Sequence, residues 1–194
     1  MQRDAIEALY RQHLGQPSAT ALHLPRLRTL ATGCEQVAEL GVKRGASTTA
    51  LLLGAKHVTS VDLTITSDAL KLQQLAGKHW TLLKADTRTV TLPAVDLLFV
   101  DASHTFASVE AELIAHADKV RGRLVFHDTI TFGSVGADGE TGRQLWLYGL
   151  GQSVPLQYLG IRPAIDNLMI RDPSWQIESH DPRSHGLLVL RRAS

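Results

Sequence analysis

From Gln36 onward, short apolar runs alternate with helix-length stretches of mixed character. The runs are QVAEL (36–40), HVTSVDL (57–63), WTLLKAD (80–86), VDLLFVD (95–101) and RLVFHD (123–128). Between them lie STTALLLGA (47–55), SDALKLQQLAG (67–77) and SVEAELIAHADKV (108–120). Strands rich in Val and Leu, separated by helical pieces, predict repeated βαβ units. The segment DTRTVTLPA, between the third and fourth runs, is too short and too rich in Thr and Pro for a full helix. Beyond residue 160, RPAIDNLMIRD predicts a helix, and WQIESHD and HGLLVLRR predict two strands. The short turn DPRS between those strands suits an antiparallel hairpin. The expected fold is therefore α/β: a Rossmann-like, doubly wound, mostly parallel sheet with helices on both faces and a C-terminal antiparallel hairpin.

Upstream of about Gly33 the chain is expected to be helical, with Ile6, Leu9, Tyr10 and Leu14 at helical spacing. Breaks are expected at Gln16-Pro17 and at Pro25. This segment should cover one edge or the mouth of the core. A length of 194 residues fits one domain. It divides into the N-terminal segment 1–33 and a core over 36–194, with a loop insertion at about 131–160.

Hydrophobic residues make up 44% of the chain and charged residues 20%, which is enough apolar material for a real core. A formal net charge of +1 gives no electrostatic reason to expect nucleic acid or an anionic membrane as partner. No apolar run approaches the roughly 20 residues needed to span a bilayer. The opening residues carry Asp4, Glu7 and Arg11, so they do not form a signal peptide. The single cysteine, Cys34, cannot form an intrachain disulfide and is expected to pack as a small apolar residue. A cytoplasmic location suits it.

Four motifs carry chemistry. In Glu39-Leu-Gly41-Val-Lys-Arg-Gly45-Ala-Ser47-Thr48, a glycine turn leaves a strand and opens a helix. Gly41 lets the chain turn, Gly45 lets backbone approach a ligand, and Ser47 and Thr48 sit by unpaired helix N–H groups that can hold an anion. Otherwise this is an ordinary glycine turn. Asp62, followed by Leu63, closes the second strand about 20 residues after Gly41 and can accept ribose hydroxyls, or else cap a helix. Asp86, with Thr87 and Arg88, follows the third strand, where an adenine edge could be read; the plainer role is a surface turn. Finally, Asp101 and His104 follow the fourth strand, and His127 and Asp128 follow the fifth. Neighbouring strand ends would bring the two carboxylates together, where they repel unless a cation or a proton intervenes. Hard oxygen ligands suit Mg²⁺ or a similar divalent ion. His104 could act as a base, and His127 could ligate or point into the sheet.

Taken together, E-L-G-x-x-x-G-x-S-T, V-D-L, D-L-L-F-V-D-A-S-H and L-V-F-H-D-T resemble class I S-adenosylmethionine-dependent methyltransferases. The nearest type is that of the small-molecule O-methyltransferases of macrocin and cephalosporin biosynthesis. The resemblance is good over about residues 36–130 and extends by pattern to the final helix and hairpin. It implies that Glu39, Gly41, Gly45, Ser47 and Thr48 hold the methionine part of the cofactor. It also implies that Asp62 and Leu63 bind ribose, and that Asp86 and Thr87 read adenine. Asp101 faces the methyl end. Metal-dependent members bind Mg²⁺ through an acid at the position of Asp101 and an acid pair on the next strand, which is His127-Asp128 here. The residue matching His104 serves as base.

The implied activity is methyl transfer to a hydroxyl of a small-molecule acceptor, with room for a divalent ion and for a homo-oligomer. The loop with Gly133, Gly136, Gly139 and Gly142 could close over the acceptor, with Trp146, Tyr148 and Tyr158 as walls or simply as core. Two other classes share the fold. One is a nicotinamide-dependent oxidoreductase, disfavoured by the missing middle glycine and by the hairpin. The other is a non-catalytic cofactor-binding or interaction module.

Overall fold

A computed structural model describes residues 1–136 and 159–193. Its strands are β1 (Gln36–Leu40), β2 (His57–Asp62), β3 (Trp80–Lys84), β4 (Val95–Val100), β5 (Val120–His127), β6 (Trp175–Asp181) and β7 (Leu187–Arg192). Its helices are α1 (Arg3–Leu14), α2 (Leu24–Ala31), α3 (Ala46–Gly54), α4 (Ser67–Ala76), α5 (Phe106–His116) and α6 (Arg162–Arg171). The sheet order is β3-β2-β1-β4-β5-β7-β6. The first five strands run parallel, and β7 lies antiparallel between β5 and β6. The fold is the expected Rossmann-like, mostly parallel sheet with a C-terminal hairpin.

Period-two alternation divides the core into two layers. Val37, Val58, Phe99, Val125 and Val189 face α1 to α4. Ala38, Leu98, Phe126, Leu188 and Leu190 face α5 and α6. Helix α3 is apolar almost all round because α1 and α2 cover its outer side. Pro25 does not break the chain as expected. It occupies the first turn of α2, where a helix needs no N–H from that residue. Helix α5 stops at His116, and β5 starts at Val120, three residues earlier than the apolar run suggested. Thr66 and Thr105 cap α4 and α5 by accepting from the N–H groups of Ala69 and Ser108.

The strand order reverses between β1 and β4, which are hydrogen-bonded neighbours. In open α/β sheets a ligand crevice forms beyond the strand ends at such a point. Among the described residues, no helix is long and apolar enough to cross a membrane.

Candidate active site

At the end of β1 the chain turns through Gly41 (φ +92°), Lys43 (φ +51°) and Gly45 (φ +81°) into α3. A Cβ on Gly41 would lie 2.3 Å from the Asp101 carbonyl oxygen, so only glycine lets β1 and β4 end side by side. Asp62 braces this loop: its Oδ2 accepts from the N–H groups of Val42 (2.8 Å) and Lys43 (3.0 Å). Its Oδ1 accepts from Thr64 N–H (2.9 Å).

Glu39 is wholly buried beneath the loop. Its carboxyl accepts from the hydroxyls of Ser47, Thr48 and Ser60, and Ser60 in turn accepts from Trp80 Nε1 (2.8 Å). Burial pushes the Glu39 carboxyl up to about 7, against the three hydroxyls that favour its charged form. Between the ordinary carboxylate range and pH 7, the folded state therefore holds a proton that the unfolded chain has lost. Stability should fall as pH rises through that window and level off above it. The full difference is about 3 kcal/mol. Urea unfolding of wild type and Glu39→Gln at pH 5 and pH 8 checks this: the variant should gain relative to wild type at pH 8, and parallel behaviour would refute it.

On the neighbouring side, Asp86 accepts a two-pronged contact from Arg88, which holds its carboxyl down at about 2. Thr87 donates its hydroxyl to buried Glu112, and its carbonyl accepts from His116 Nε2 (2.7 Å). Leu63 is exposed.

The ends of β4 and β5 carry the acid–histidine centre. Nε2 of His104 lies 2.7 Å from Asp128 Oδ2 and 3.5 Å from Asp101 Oδ1. Its ring stacks on Phe132 at 4.8 Å. His127 Nδ1 donates to Asp101 Oδ1 (3.1 Å), and its Nε2 donates to the Ala19 carbonyl (3.3 Å). Burial lowers the basicity of both rings, but the Asp101 and Asp128 carboxylates outweigh it, raising His104 to about 9 and His127 to about 10. Burial works against the Asp128 charge, yet the two histidines hold its carboxyl well below the usual range. Asp128 takes a left-handed backbone, φ +60°, uncommon for a non-glycine residue and often found where function constrains the chain.

One cavity of about 950 Å³ joins these parts. It is lined by Gly41, Ser47, Asp62, Leu63, Asp86, Thr87, Asp101, His104, His127 and Asp128. Glu39, Gly45 and Thr48 stand outside this lining. Glu39 and Thr48 form a buried hydrogen bond, and Gly45 packs against Leu72. The N-terminal segment lines the other wall with His13, Gln16, Ser18 and Thr20. The sequence pattern placed that segment near a mouth without singling out these side chains. His185, 3.4 Å from Asp128, was missed as well. Its only signal was a His-Gly pair in a hairpin turn. Of the glycine-rich loop, Gly133 and Gly136 are described, whereas Gly139, Gly142, Trp146, Tyr148 and Tyr158 lie outside the described residues.

Residues 38–129 match a family model described as a methyltransferase domain. No curated protein sequence matches the chain. Similar solved structures include a provisionally named caffeoyl-CoA O-methyltransferase from Staphylococcus aureus, with a TM-score of 0.68 at 14% identity, covering 97% of this chain and 92% of that one. Another is the 1,6-didemethyltoxoflavin-N1-methyltransferase of Burkholderia thailandensis, solved with 1,6-didemethyltoxoflavin and S-adenosylhomocysteine (TM-score 0.62, 17% identity, 99% and 87% covered). A third is the N-methyltransferase NodS of Bradyrhizobium japonicum, solved with S-adenosylhomocysteine (0.63, 15%, 100% and 99%). The family match lies over the glycine turn and both strand-end acids, and the sheet is the one these neighbours share. Residues 38–129 thus match a methyltransferase domain, and the chain shares the Rossmann-like fold of these solved methyltransferases.

Proposed function

We propose that this protein transfers a methyl group from S-adenosylmethionine to a hydroxyl of a small molecule. The observation that carries this reading is one cavity lined by Gly41 of the glycine loop, Asp62 and Asp86 together with Asp101, His104 and Asp128. In this reading, backbone N–H groups at the start of α3 face the amino acid part of the cofactor. Asp62 takes the ribose hydroxyls with the lone pairs its loop contacts leave over, and Asp86 and Thr87 border the adenine. The Asp101 end faces the sulfonium methyl.

The cofactor brings an activated methyl, so the chain has to orient the acceptor and remove one proton. The acceptor oxygen attacks the methyl carbon, and the C–S bond breaks with its electron pair going to sulfur. The hydroxyl proton passes to His104 Nε2. Only the neutral ring can take it; because the two carboxylates raise His104 to about 9, that form is the minor one at pH 7, and turnover should rise with pH towards about 9. This need for a base favours a hydroxyl acceptor, since a neutral amine attacks before it loses its proton.

The carboxylates of Asp101 and Asp128 present oxygens within 4.8 Å of one another, so this pair fits a divalent ion, with the ring of His104, at the same range, left to take the proton. His127 does not join it, because both its ring nitrogens face oxygen acceptors. Such an ion would supply positive charge that lowers the pKa of a hydroxyl beside it.

Calorimetric titration tests the proposal. S-adenosylhomocysteine should bind with a micromolar or better Kd and NAD should not; the reverse would favour an oxidoreductase. Once screening has found an acceptor, turnover should fall after exhaustive EDTA treatment and recover with added Mg²⁺ or Mn²⁺. Unchanged turnover would remove the ion and leave His104 acting alone.

A further inference from the structure

We propose that His185 is a positioning residue for the acceptor side of the cavity, holding the Asp128 carboxylate from the turn between β6 and β7. The inference rests on the methyltransferase reading for its purpose, but its geometry stands apart from that reading. Asp128 Oδ1 is buried and has no hydrogen-bond partner among the described residues. Such an atom is costly to leave alone when its carboxylate is charged. The ring nitrogen placed to serve it is His185 Nδ1, at 3.4 Å. Asp128 Oδ2 is already engaged by His104 at 2.7 Å. His104 and His185 therefore lie against opposite oxygens of the carboxylate, neither as an aligned hydrogen bond, and the orientation of Asp128 sets where His104 stands.

The turn is built for this task. Ser184, His185 and Gly186 all take left-handed backbone, with φ of +43°, +72° and +92°. Two of the three are not glycine, and L-residues with side chains pay about 1–2 kcal/mol each for that conformation. Consecutive residues of the turn then reach the N-terminal segment on one side and the chain just past β5 on the other. The Ser184 hydroxyl donates to the Ala19 carbonyl (2.7 Å) on the N-terminal segment. The His185 carbonyl accepts from Ile130 N–H (2.8 Å), just past Asp128. A Cβ on Gly186 would meet Thr129 Oγ1 at 2.6 Å and Ile130 N at 2.8 Å, so the turn lies flush against the chain that follows β5. The N-terminal side replies through His23, whose Nε2 faces the carbonyls of Arg183 (3.0 Å) and Ser184 (3.1 Å). A surface hairpin with no task beyond joining two strands would use Asn or Gly at these positions.

Long-range ¹H–¹⁵N spectra of the histidine rings, recorded on the full chain with and without S-adenosylhomocysteine, test the assignment. The His185 signals should show a proton on Nδ1 and should move in Asp128→Asn. His185→Gly should shift the ring signals of His104 and His127, while the thermal midpoint holds or rises because glycine relieves the backbone. His185→Asn should restore both signals, since its amide nitrogen sits where Nδ1 does and Asn tolerates left-handed backbone. His104 and His127 signals unmoved in His185→Gly, or a His185 ring indifferent to Asp128→Asn, would overturn the proposal. A failure of wild type to take up S-adenosylhomocysteine would sink the functional reading instead, and the spectra of the free protein would still decide the role of His185.

Discussion

Replacing His104 by alanine is expected to cut methyl transfer by a factor of about 100 to 10,000, the range typical of losing a positioned general base. The affinity for S-adenosylhomocysteine should stay within about twofold. The split follows from geometry. His104 touches Asp128 and Asp101, and the Asp62 contacts that brace the glycine turn do not involve it. Stability should fall by about 1–3 kcal/mol, because the ring stacks on Phe132 and its loss leaves the buried Asp128 carboxylate without its nearest cation. Single-turnover rates with saturating acceptor, set beside calorimetry of the same preparation, check the prediction. Undiminished rates in the alanine variant would mean that the proton leaves by another route, and would move the reading toward a module that keeps the fold without this chemistry.

Gly41→Ala should be as severe for a different reason. The new Cβ would sit 2.3 Å from the Asp101 carbonyl oxygen and 2.6 Å from its carbonyl carbon, and both are backbone atoms that cannot swing aside. The left-handed φ of +92° adds strain of its own. Together these should cost about 2–6 kcal/mol of stability. They should also push β1 and β4 apart where the glycine loop and Asp101 meet, so cofactor affinity should fall with stability. Gly33→Ala is the control. Its φ is +85°, but the space around it is open, so only the strain of about 1–2 kcal/mol should appear. Equal urea midpoints for the two variants would show that the close approach to Asp101 carries no energetic weight.

Much of this arrangement was legible in the residue pattern. Runs such as VDLLFV can only be strands buried on both faces, and an acid at the end of each marks the crevice. The start of β5 was not legible. Arg121 and Gly122 interrupt the apolar run, Gly122 passes close to the Asp96 carbonyl, and a register shift between Val95 and Leu97 spoils the alternation that a period-two reading needs. Glu39 shows another limit. Its place beside the glycines marked it as a ligand-facing residue, but alternation along β1 turns it inward, where three hydroxyls from α3 and β2 engage it. The Nε2 contact of His127 with Ala19 and the reach of His185 to Asp128 each join segments more than 50 residues apart, and no local pattern encodes such a meeting.

Strand β7 reaches its place beside β5 only after a long excursion of the chain, Arg191 pairing with Arg123 and Leu187 with His127. Closing so large a loop is entropically slow compared with zipping the βαβ units that precede it. The cofactor half of the cavity can therefore assemble from early, local pairings. The half that carries Asp128 waits for its flank until the hairpin docks, so a refolding chain should regain nucleoside binding before it regains an ordered acceptor end.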